Sequence, residues 1–256
     1  MILQDDIFID IFYFGEILSK FGNALLVTLL IAGMGILIGF GIGLLLGIGN
    51  SFGGKVTRGI CSFYVEVVRG TPLLVQILIW YYLVPFPFRT YINGFEIFGE
   101  IDNFFGGLVG QGANFSFAAV LAIGLHSAAY QAEIVRAGIN SIPSGQTEAG
   151  LSIGLSKQQV IQHIILPQSM RMNIPPMINE FVIVIKDSSL AGYITVVDIT
   201  KMADVILLEG GRPIETLLLL AGIYLVICIT VSFIAKYVEK KFQVAGYGVK
   251  SRRSLL

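Results

Sequence analysis

An apolar segment, residues 59–84, contains polar residues and a helix-breaking sequence. Glu66 and Arg69 precede Gly70-Thr71-Pro72, and Gln76 follows one turn later. Proline removes a backbone donor and clashes with the carbonyl four residues earlier, so this sequence predicts a broken or kinked helix. If the segment crosses a bilayer, Arg69 needs a partner or a wet cavity, because a buried charge costs roughly 2.5–3.5 kcal/mol on insertion scales. An intrahelical Glu66–Arg69 pair and a ligand site at a broken helix both satisfy this need.

The composition places these residues in a membrane protein. The chain has 256 residues, of which 55% are hydrophobic and 13% charged, with no net charge. The mean hydropathy is +0.79. A typical soluble domain is about 25% charged. These values exclude a soluble globular enzyme, a disordered chain and a nucleic-acid binder with a basic face, and they indicate a polytopic membrane protein.

Five segments are apolar and long enough to cross a bilayer, which takes about 20 residues. These predicted spans are residues 24–49, 59–84, 115–139, 172–197 and 216–235. Residues 5–20 alternate acidic and apolar groups, which predicts a short interfacial helix. In the first span, glycines spaced by four residues predict a ridge for close helix packing. They are Gly35, Gly39, Gly43 and Gly47.

Basic residues predict the orientation. If the N-terminus is outside, eleven of the 17 Lys and Arg residues lie in or beside cytoplasmic segments and four lie outside. The positive-inside rule therefore favours a C-terminus inside. We expect residues 1–20 to form an outer-face interfacial segment, 21–240 a transmembrane domain and 241–256 a cytoplasmic tail. Within that domain, residues 85–114 form an outer loop and 140–171 a cytoplasmic loop.

The cytoplasmic loop predicts two short helices joined by a turn. Gly154 can end the first helix, and Ser156 with Gln159 forms a capping box that can start the second. Exposed small residues at Ala149 and Gly150 then give a compact knob that a partner could contact. An ordinary amphipathic loop is the alternative on physical grounds alone.

The loop sequence resembles a family signature. Glu148-Ala149-Gly150, followed by Gly154 and then by Ile164-x-Leu166-Pro167, resembles the "EAA" signature of ABC importer permeases. Wider matches resemble the histidine/glutamine/arginine uptake branch of these permeases. They are residues 69–76, 129–139, 166–168, 179–181 and 186–190. Two departures are mild: Gly150 replaces the second alanine, and Ser188 stands where threonine is commoner.

The resemblance implies an all-α membrane protein with five transmembrane helices, the type I ABC importer permease fold and a cytoplasmic coupling helix. It implies a multi-pass permease subunit of an ATP-driven importer of a polar amino acid, in the bacterial cytoplasmic (inner) membrane. The implied partners are two ATP-binding cassette ATPase subunits, a second permease chain (identical or related) and an extracytoplasmic amino acid-binding protein. The chain is expected to be no enzyme and to hold no cofactor or metal, since the partner ATPase binds Mg-ATP.

Two sets of functional residues follow. ATPase coupling is expected from Glu148, Ala149, Gly154, Leu155, Leu166 and Pro167, of which Leu155 is our extension from its predicted apolar exposure. The expected substrate pathway comprises Arg69, Thr71, Gln76, His126, Tyr130, Glu133, Glu180, Lys186, Asp187 and Ser188. We expect Thr71, Gln76, His126 and Tyr130 to line the pathway, because broken-helix ends and charge pairs can satisfy a zwitterion. The charges could instead pair only with each other to hold the helices together.

Two other function classes are weaker. An ion-coupled secondary amino acid transporter could use the intramembrane carboxylates as proton or sodium sites. Five spans without an internal repeat disfavour that class. An intramembrane enzyme lacks a metal pair or a nucleophile–base set, since His126 and His163 lie far apart in the predicted topology. Residues 49–55 nearly spell a phosphate-binding loop, but Val56 stands where its hydroxyl is needed.

Overall fold

The computed structural model describes residues 11–83, 96–109 and 115–242. These residues are nearly all helical and contain no strand. The predictions for residues 1–10 of the interfacial segment, for 84–95 and 110–114 of the outer loop, and for 243–256 of the tail lie outside the described residues.

The helices follow one another with short connections. In chain order they are α1 (Ile11–Leu18), α2 (Phe21–Phe52), α3 (Lys55–Arg69), α4 (Leu73–Leu78), α5 (Glu96–Val109), α6 (Phe117–Asn140), α7 (Ser144–Ser152), α8 (Lys157–Val160), α9 (Leu166–Asp187), α10 (Ile199–Leu208) and α11 (Pro213–Phe242). A π-helical turn, Ile79–Leu83, continues α4, and a second, Ile161–Ile165, joins α8 to α9. A 3-10 segment, Ser188–Ile194, follows α9.

Among the described helices, three are long and apolar enough to cross a membrane: α2, α6 and the Pro213–Ile234 part of α11. The pair Lys55–Arg69 and Leu73–Leu83 is a fourth candidate, bent by 103°. The predicted span 172–197 differs most from the structure, since its helix ends at Asp187 and contains Pro175 and Pro176. The count of five spans therefore stays a prediction.

The predicted glycine ridge packs α2 against α6, and this is the most extensive helix contact in the described chain. A Cβ added at Gly39 would lie 2.9 Å from the Cβ of Ser127, and one added at Gly47 would lie 2.5 Å from the Cβ of Val135. Both distances are too short for any side chain larger than hydrogen. The two backbones can approach this closely only because the ridge carries glycine.

The predicted helix break is confirmed at Gly70-Thr71-Pro72. Helix α3 ends at Arg69, and Pro72 adopts an extended ψ of 136° before α4 begins. Beyond the break, Ile77 of α4 and Ile194 of the 3-10 segment are buried in one apolar cluster with Ile31 of α2 and Ile123 of α6. The segment after the α3–α4 break and the 3-10 segment after α9 therefore pack into the same core.

A second cluster holds α1 in place. Ile17 and Phe21 pack with Ile199 and Ile206 of α10. At its edge, the Lys20 ammonium lies 2.9 Å from a carboxylate oxygen of Glu209. The described part of the predicted interfacial segment therefore contains α1, which is fixed against the turn between α10 and α11. Its position at the membrane interface stays a prediction.

Candidate functional site

The broken ends of α3 and α4 are joined by the side chain of Gln76. Its Nε2–H group donates to the carbonyl oxygen of Val68 at 2.7 Å and to the Thr71 hydroxyl oxygen at 2.7 Å. The Thr71 hydroxyl itself donates to the carbonyl oxygen of Val67 at 3.0 Å. The last carbonyls of a helix have no partner within the helix. Gln76 and Thr71 supply partners for them, which stabilises the break.

The break packs against two rings of α6. The Nδ1 atom of His126 lies 3.1 Å from Gln76 Oε1, and the ring centroids of His126 and Tyr130 are 5.1 Å apart. The Arg69 guanidinium lies 5.1 Å from the centre of the Tyr130 ring, a cation–π contact. We call Arg69, Thr71, Gln76, His126 and Tyr130 the break cluster.

For four other predicted pathway residues, Glu133, Lys186, Asp187 and Ser188, the described chain shows no hydrogen bond or ring contact with the break cluster. Glu133 pairs with Arg136 one turn along α6, with the Arg136 Nε–H donating at 3.0 Å. On α9, the side chain of Lys186 is exposed and that of Asp187 is half-buried. The Ser188 hydroxyl donates to the carbonyl oxygen of Ile185 at 2.7 Å. Glu133 is thus satisfied by a neighbouring side chain and Ser188 by the backbone.

Glu180 occupies a different position. It is buried, and its Oε1 lies 3.5 Å from the Ser127 hydroxyl of α6, at the interface between α9 and α6.

Within the described residues, Glu66 and Arg69 form no salt bridge. Arg69 contacts Tyr130 instead, so the intrahelical pair is not what holds this cation.

Several polar residues of the helix interfaces were not predicted as functional. Gln131 is fully buried on α6, and neither of its amide atoms has a hydrogen-bond partner in the described chain. Asn173 of α9 is also buried and has an unpartnered Nδ2. The Tyr64 hydroxyl donates to the carbonyl oxygen of Leu125 at 2.7 Å, which ties α3 to α6. An isolated amide within an apolar helix is the sequence signal that could have drawn attention to Gln131.

The predicted knob consists of α7, α8 and the turn between them. The capping box of Ser156 and Gln159 is present and starts α8. Gly154 has a φ of +89°, a left-handed conformation that glycine adopts without steric cost. The predicted exposure of Gly150 is wrong, because Gly150 is buried and a Cβ there would lie 2.8 Å from Val160 Cγ2. The glycine at this position thus lets α7 pack directly on the next helix.

The coupling residues differ in their exposure. Glu148, Ala149, Gly154 and Pro167 are exposed, while Leu166 is half-buried at the start of α9. The predicted apolar exposure of Leu155 is wrong, because Leu155 is half-buried against the cluster that contains Val160. Ile153 is the exposed apolar residue of the turn, at 77%. Sequence spacing could not separate these two positions, since the turn reverses the chain between them.

Within the described residues, no group of three or more His, Cys, Asp or Glu side chains is arranged to hold a metal ion. The polar groups of the break cluster suit a ligand that has both a negative and a positive or hydrogen-donating part. Arg69 supplies a cation, and the His126 ring supplies a nitrogen that can accept a hydrogen bond.

Comparison with known proteins identifies the family. The family model described as binding-protein-dependent transport system inner membrane component matches residues 35–244. The chain belongs to this family. It is therefore a transport permease component of the inner membrane, as the motif resemblance implies.

Two relatives show how far the likeness extends. The permease is 35% identical over 217 residues to the glutamine transport system permease protein GlnP of Escherichia coli strain K12, covering 85% of this chain and 90% of the relative. It is 37% identical over 188 residues to the L-cystine transport system permease protein TcyB of Bacillus subtilis strain 168, covering 72% and 70%.

Solved structures confirm the fold class. The crystal structure of an amino acid ABC transporter with histidines superposes with a TM-score of 0.74 at 30% identity, covering 92% of this permease and 100% of that chain. An inward-facing form of the MetNI methionine ABC transporter has a TM-score of 0.62 at 15% identity, which shows a shared fold alone. The permease has the type I ABC importer fold.

Proposed function

We propose that this permease forms the transmembrane pathway of an ATP-driven importer for a polar amino acid. The observation that carries the proposal is the family match over residues 35–244 in a chain whose broken helix carries a polar cluster. The named relatives that support it transport glutamine and cystine. An amino acid is a zwitterion, so its pathway must offer donors to the carboxylate and acceptors to the ammonium group.

The break cluster is the proposed point of contact with that amino acid. Arg69 would attract the carboxylate, and the His126 and Tyr130 rings would bound the same space. Glu180 would shape the α6–α9 interface beside it, with Glu133, Lys186, Asp187 and Ser188 further along the two helices. The observed pairing of Glu133 with Arg136 and of Ser188 with the backbone supports a positioning role for these two residues rather than direct contact.

The proposed partners occupy the two membrane faces. A binding protein would deliver the amino acid from outside, and two ATPase subunits would hydrolyse Mg-ATP inside, with a second permease chain completing the pathway. The exposed knob of Glu148, Ala149 and Gly154 would contact an ATPase subunit, and Ile153 adds an apolar surface. Residues 1–20 would lie on the outer face and 241–256 in the cytoplasm, in line with the distribution of basic residues.

The cargo can be identified with the purified complex of permease, ATPase and binding protein in proteoliposomes. ATP hydrolysis and uptake of labelled amino acid are measured for each amino acid in turn. A polar amino acid that stimulates hydrolysis and accumulates only with ATP inside supports the proposal. Accumulation driven by a proton or sodium gradient without ATP would contradict it.

The coupling surface can be tested separately. Replacing Ala149 by arginine puts a bulky charge on the exposed side of α7 without demanding an unusual backbone conformation. We expect loss of ATPase binding or of transport-coupled hydrolysis, while delivery by the binding protein persists. Gln162→Arg, at an exposed position on the π-helical turn, is the matched control and should transport normally. Normal ATPase binding and uptake in Ala149→Arg would exclude this surface.

A further inference from the structure

The orientation of the Gln76 amide is determined by its neighbours. Its Nε2 lies 2.7 Å from the carbonyl oxygen of Val68 and 3.1 Å from that of Thr71. Carbonyl oxygens accept hydrogen bonds and cannot donate them. If the amide were turned around, Oε1 would face two acceptors and repel both. Only the orientation with the NH₂ group towards the break is consistent with these contacts.

That orientation determines which nitrogen of His126 carries a hydrogen. Oε1 of Gln76, an acceptor only, is left facing His126 Nδ1 at 3.1 Å. A hydrogen bond between them requires a hydrogen on Nδ1, because otherwise two lone pairs would face each other. Neutral imidazole has a single ring hydrogen, so Nε2 then carries a lone pair.

The surroundings favour the neutral ring over the doubly protonated one. The Arg69 guanidinium contacts the face of Tyr130, and the Tyr130 ring is the neighbour of His126. A second positive charge on His126 would be repelled by Arg69. The His126 Nε2 atom has no partner in the described chain, and it is not among the buried atoms sealed from solvent. Because the His126 ring is half-buried rather than sealed, Nε2 can accept a hydrogen bond from a ligand.

We infer that Gln76 is a positioning residue that holds His126 in the Nδ1–H tautomer and so presents Nε2 as a fixed hydrogen-bond acceptor for the substrate. The group it would accept from is an ammonium or an amide N–H of the transported amino acid. Arg69, which also contacts the Tyr130 ring, serves the carboxylate. This inference rests on the proposed function. It assigns different roles to Gln76 and His126, which the sequence placed together as pathway lining: Gln76 orients the ring, and His126 contacts the substrate.

The tautomer can be measured by ¹⁵N NMR, because pyrrole-type and pyridine-type ring nitrogens have well-separated shifts. The chain has two histidines. His163→Gln removes the exposed one and leaves His126 as the single labelled residue, when the ¹⁵N-histidine chain is assembled with unlabelled partner subunits. We expect a pyrrole-type Nδ1 and a pyridine-type Nε2 at neutral pH. In Gln76→Met, which has similar length but no acceptor, this preference is lost.

A pyridine-type Nδ1, two pyrrole-type nitrogens at neutral pH, or an unchanged tautomer in Gln76→Met would each overturn the inference. None of these results depends on transport. Failure of this inference can therefore be distinguished from failure of the proposed function, which the uptake experiment above tests.

Uptake then tests whether the acceptor serves the substrate. In Gln76→Met we expect the amino acid concentration for half-maximal uptake to rise about 2- to 10-fold, as for one lost hydrogen bond of ordinary net strength. The maximal rate per assembled complex should change less. Gln76→Asn, whose shorter amide can keep one of the two contacts, should recover part of the affinity. A fall in maximal rate and in assembled complex without a change in half-maximal concentration would mean that Gln76 only stabilises the break, and would overturn the substrate role.

Discussion

At the scale of single residues, the contacts of Arg69 distinguish the two alternatives that the sequence left open, an intrahelical pair with Glu66 and a polar site at the broken helix. Glu66 lies one turn away along α3, but the Tyr130 ring of α6 is what the guanidinium contacts. An aromatic face attracts a cation without neutralising it. Arg69 therefore keeps its charge available for an anionic group, which an ion pair with Glu66 would have weakened.

The Tyr130 ring should matter for transport more than its hydroxyl. Tyr130→Phe keeps the aromatic face under Arg69, whereas Tyr130→Ala removes it. A cation–π contact contributes about 0.5–2 kcal/mol, so we expect half-maximal uptake in Tyr130→Ala to need about 2- to 30-fold more amino acid. Tyr130→Phe should remain close to wild type, as should the control Tyr82→Ala, at an exposed ring on the π-helical turn. Equal uptake by the alanine and wild-type complexes would place the substrate elsewhere.

Asp198 caps the N-terminus of α10 with a buried carboxylate. Its Oδ1 accepts from the backbone N–H of Lys201 at 2.8 Å, while Oδ2 is buried without a partner in the described chain. Burial raises the pKa of Asp198 from its ordinary value of 3.8 to about 6. Because the pKa is higher in the folded state, ionisation destabilises the fold. This cost is absent below about pH 4, grows up to about pH 6 and is complete above it.

Asp198→Asn should therefore stabilise the protein at neutral pH. Asparagine is as good a helix cap as aspartate and carries no charge. We expect it to unfold at a higher temperature than wild type at pH 7.5, by on the order of 2–3 kcal/mol of stability, and at the same temperature near pH 4. Thermal unfolding of the purified protein across this pH range measures the effect. Glu100→Gln, at an exposed carboxylate of α5, should show no such pH-dependent difference.

At the scale of elements, the α2–α6 contact should tolerate no side chain along the glycine ridge. Gly47→Leu would force its side chain into Val135 and the carbonyl oxygen of Ala132. Overpacking of this kind costs about 1–3 kcal/mol or more, so we expect a lower unfolding temperature and less folded protein in the membrane. Gly41→Leu is the matched control on the same helix, because nothing lies within 4 Å of an added Cβ there. Equal stability of the two variants would exclude the ridge as the packing surface.

Local sequence rules predicted elements whose cause is local. The break follows from Gly70 and Pro72, the start of α8 from Ser156 and Gln159, and the ridge from the spacing of its glycines. The 103° bend after Arg69 was not predicted, because its size depends on how α4 packs into the core rather than on the break itself. The end of α9 at Asp187 was also missed, since an apolar sequence continues through the 3-10 segment.

The same distinction applies to the candidate site. The sequence could place His126 and Tyr130 on one face of a helix, and the structure brings them to the break. It could not show that the Gln76 amide is engaged by the backbone of Val68 and Thr71, because that contact depends on how the chain turns at Pro72. Hydrogen bonds across a break depend on the tertiary structure even when their residues are close in sequence.

At the scale of the whole molecule, the segments that follow the α3–α4 break and α9 share one core. Leu73 and Ile77, which follow the α3–α4 break, pack in the same cluster as Ala191 and Ile194, which follow α9. Packed cores move between discrete arrangements rather than deforming continuously. A push on the knob at α7–α8, which connects through a π-helical turn to α9, would then reach the break cluster as a rigid-body movement of α9.

A cytoplasmic ATPase can push on the knob only if the knob lies on the cytoplasmic side of the membrane. Helix α5 should then lie on the opposite side. The distribution of basic residues predicts α5, within the outer loop, outside and α8 inside. Asn103 and Gln158 are exposed on these two helices, so each can be replaced singly by cysteine after Cys61 and Cys228 are changed to alanine. In right-side-out vesicles, a membrane-impermeant maleimide should label Asn103→Cys at once and Gln158→Cys only after permeabilisation. Labelling of both from one side, or in the reverse order, would contradict the predicted orientation. Labelling of Gln158→Cys in intact vesicles would in addition place the knob where no cytoplasmic ATPase could contact it.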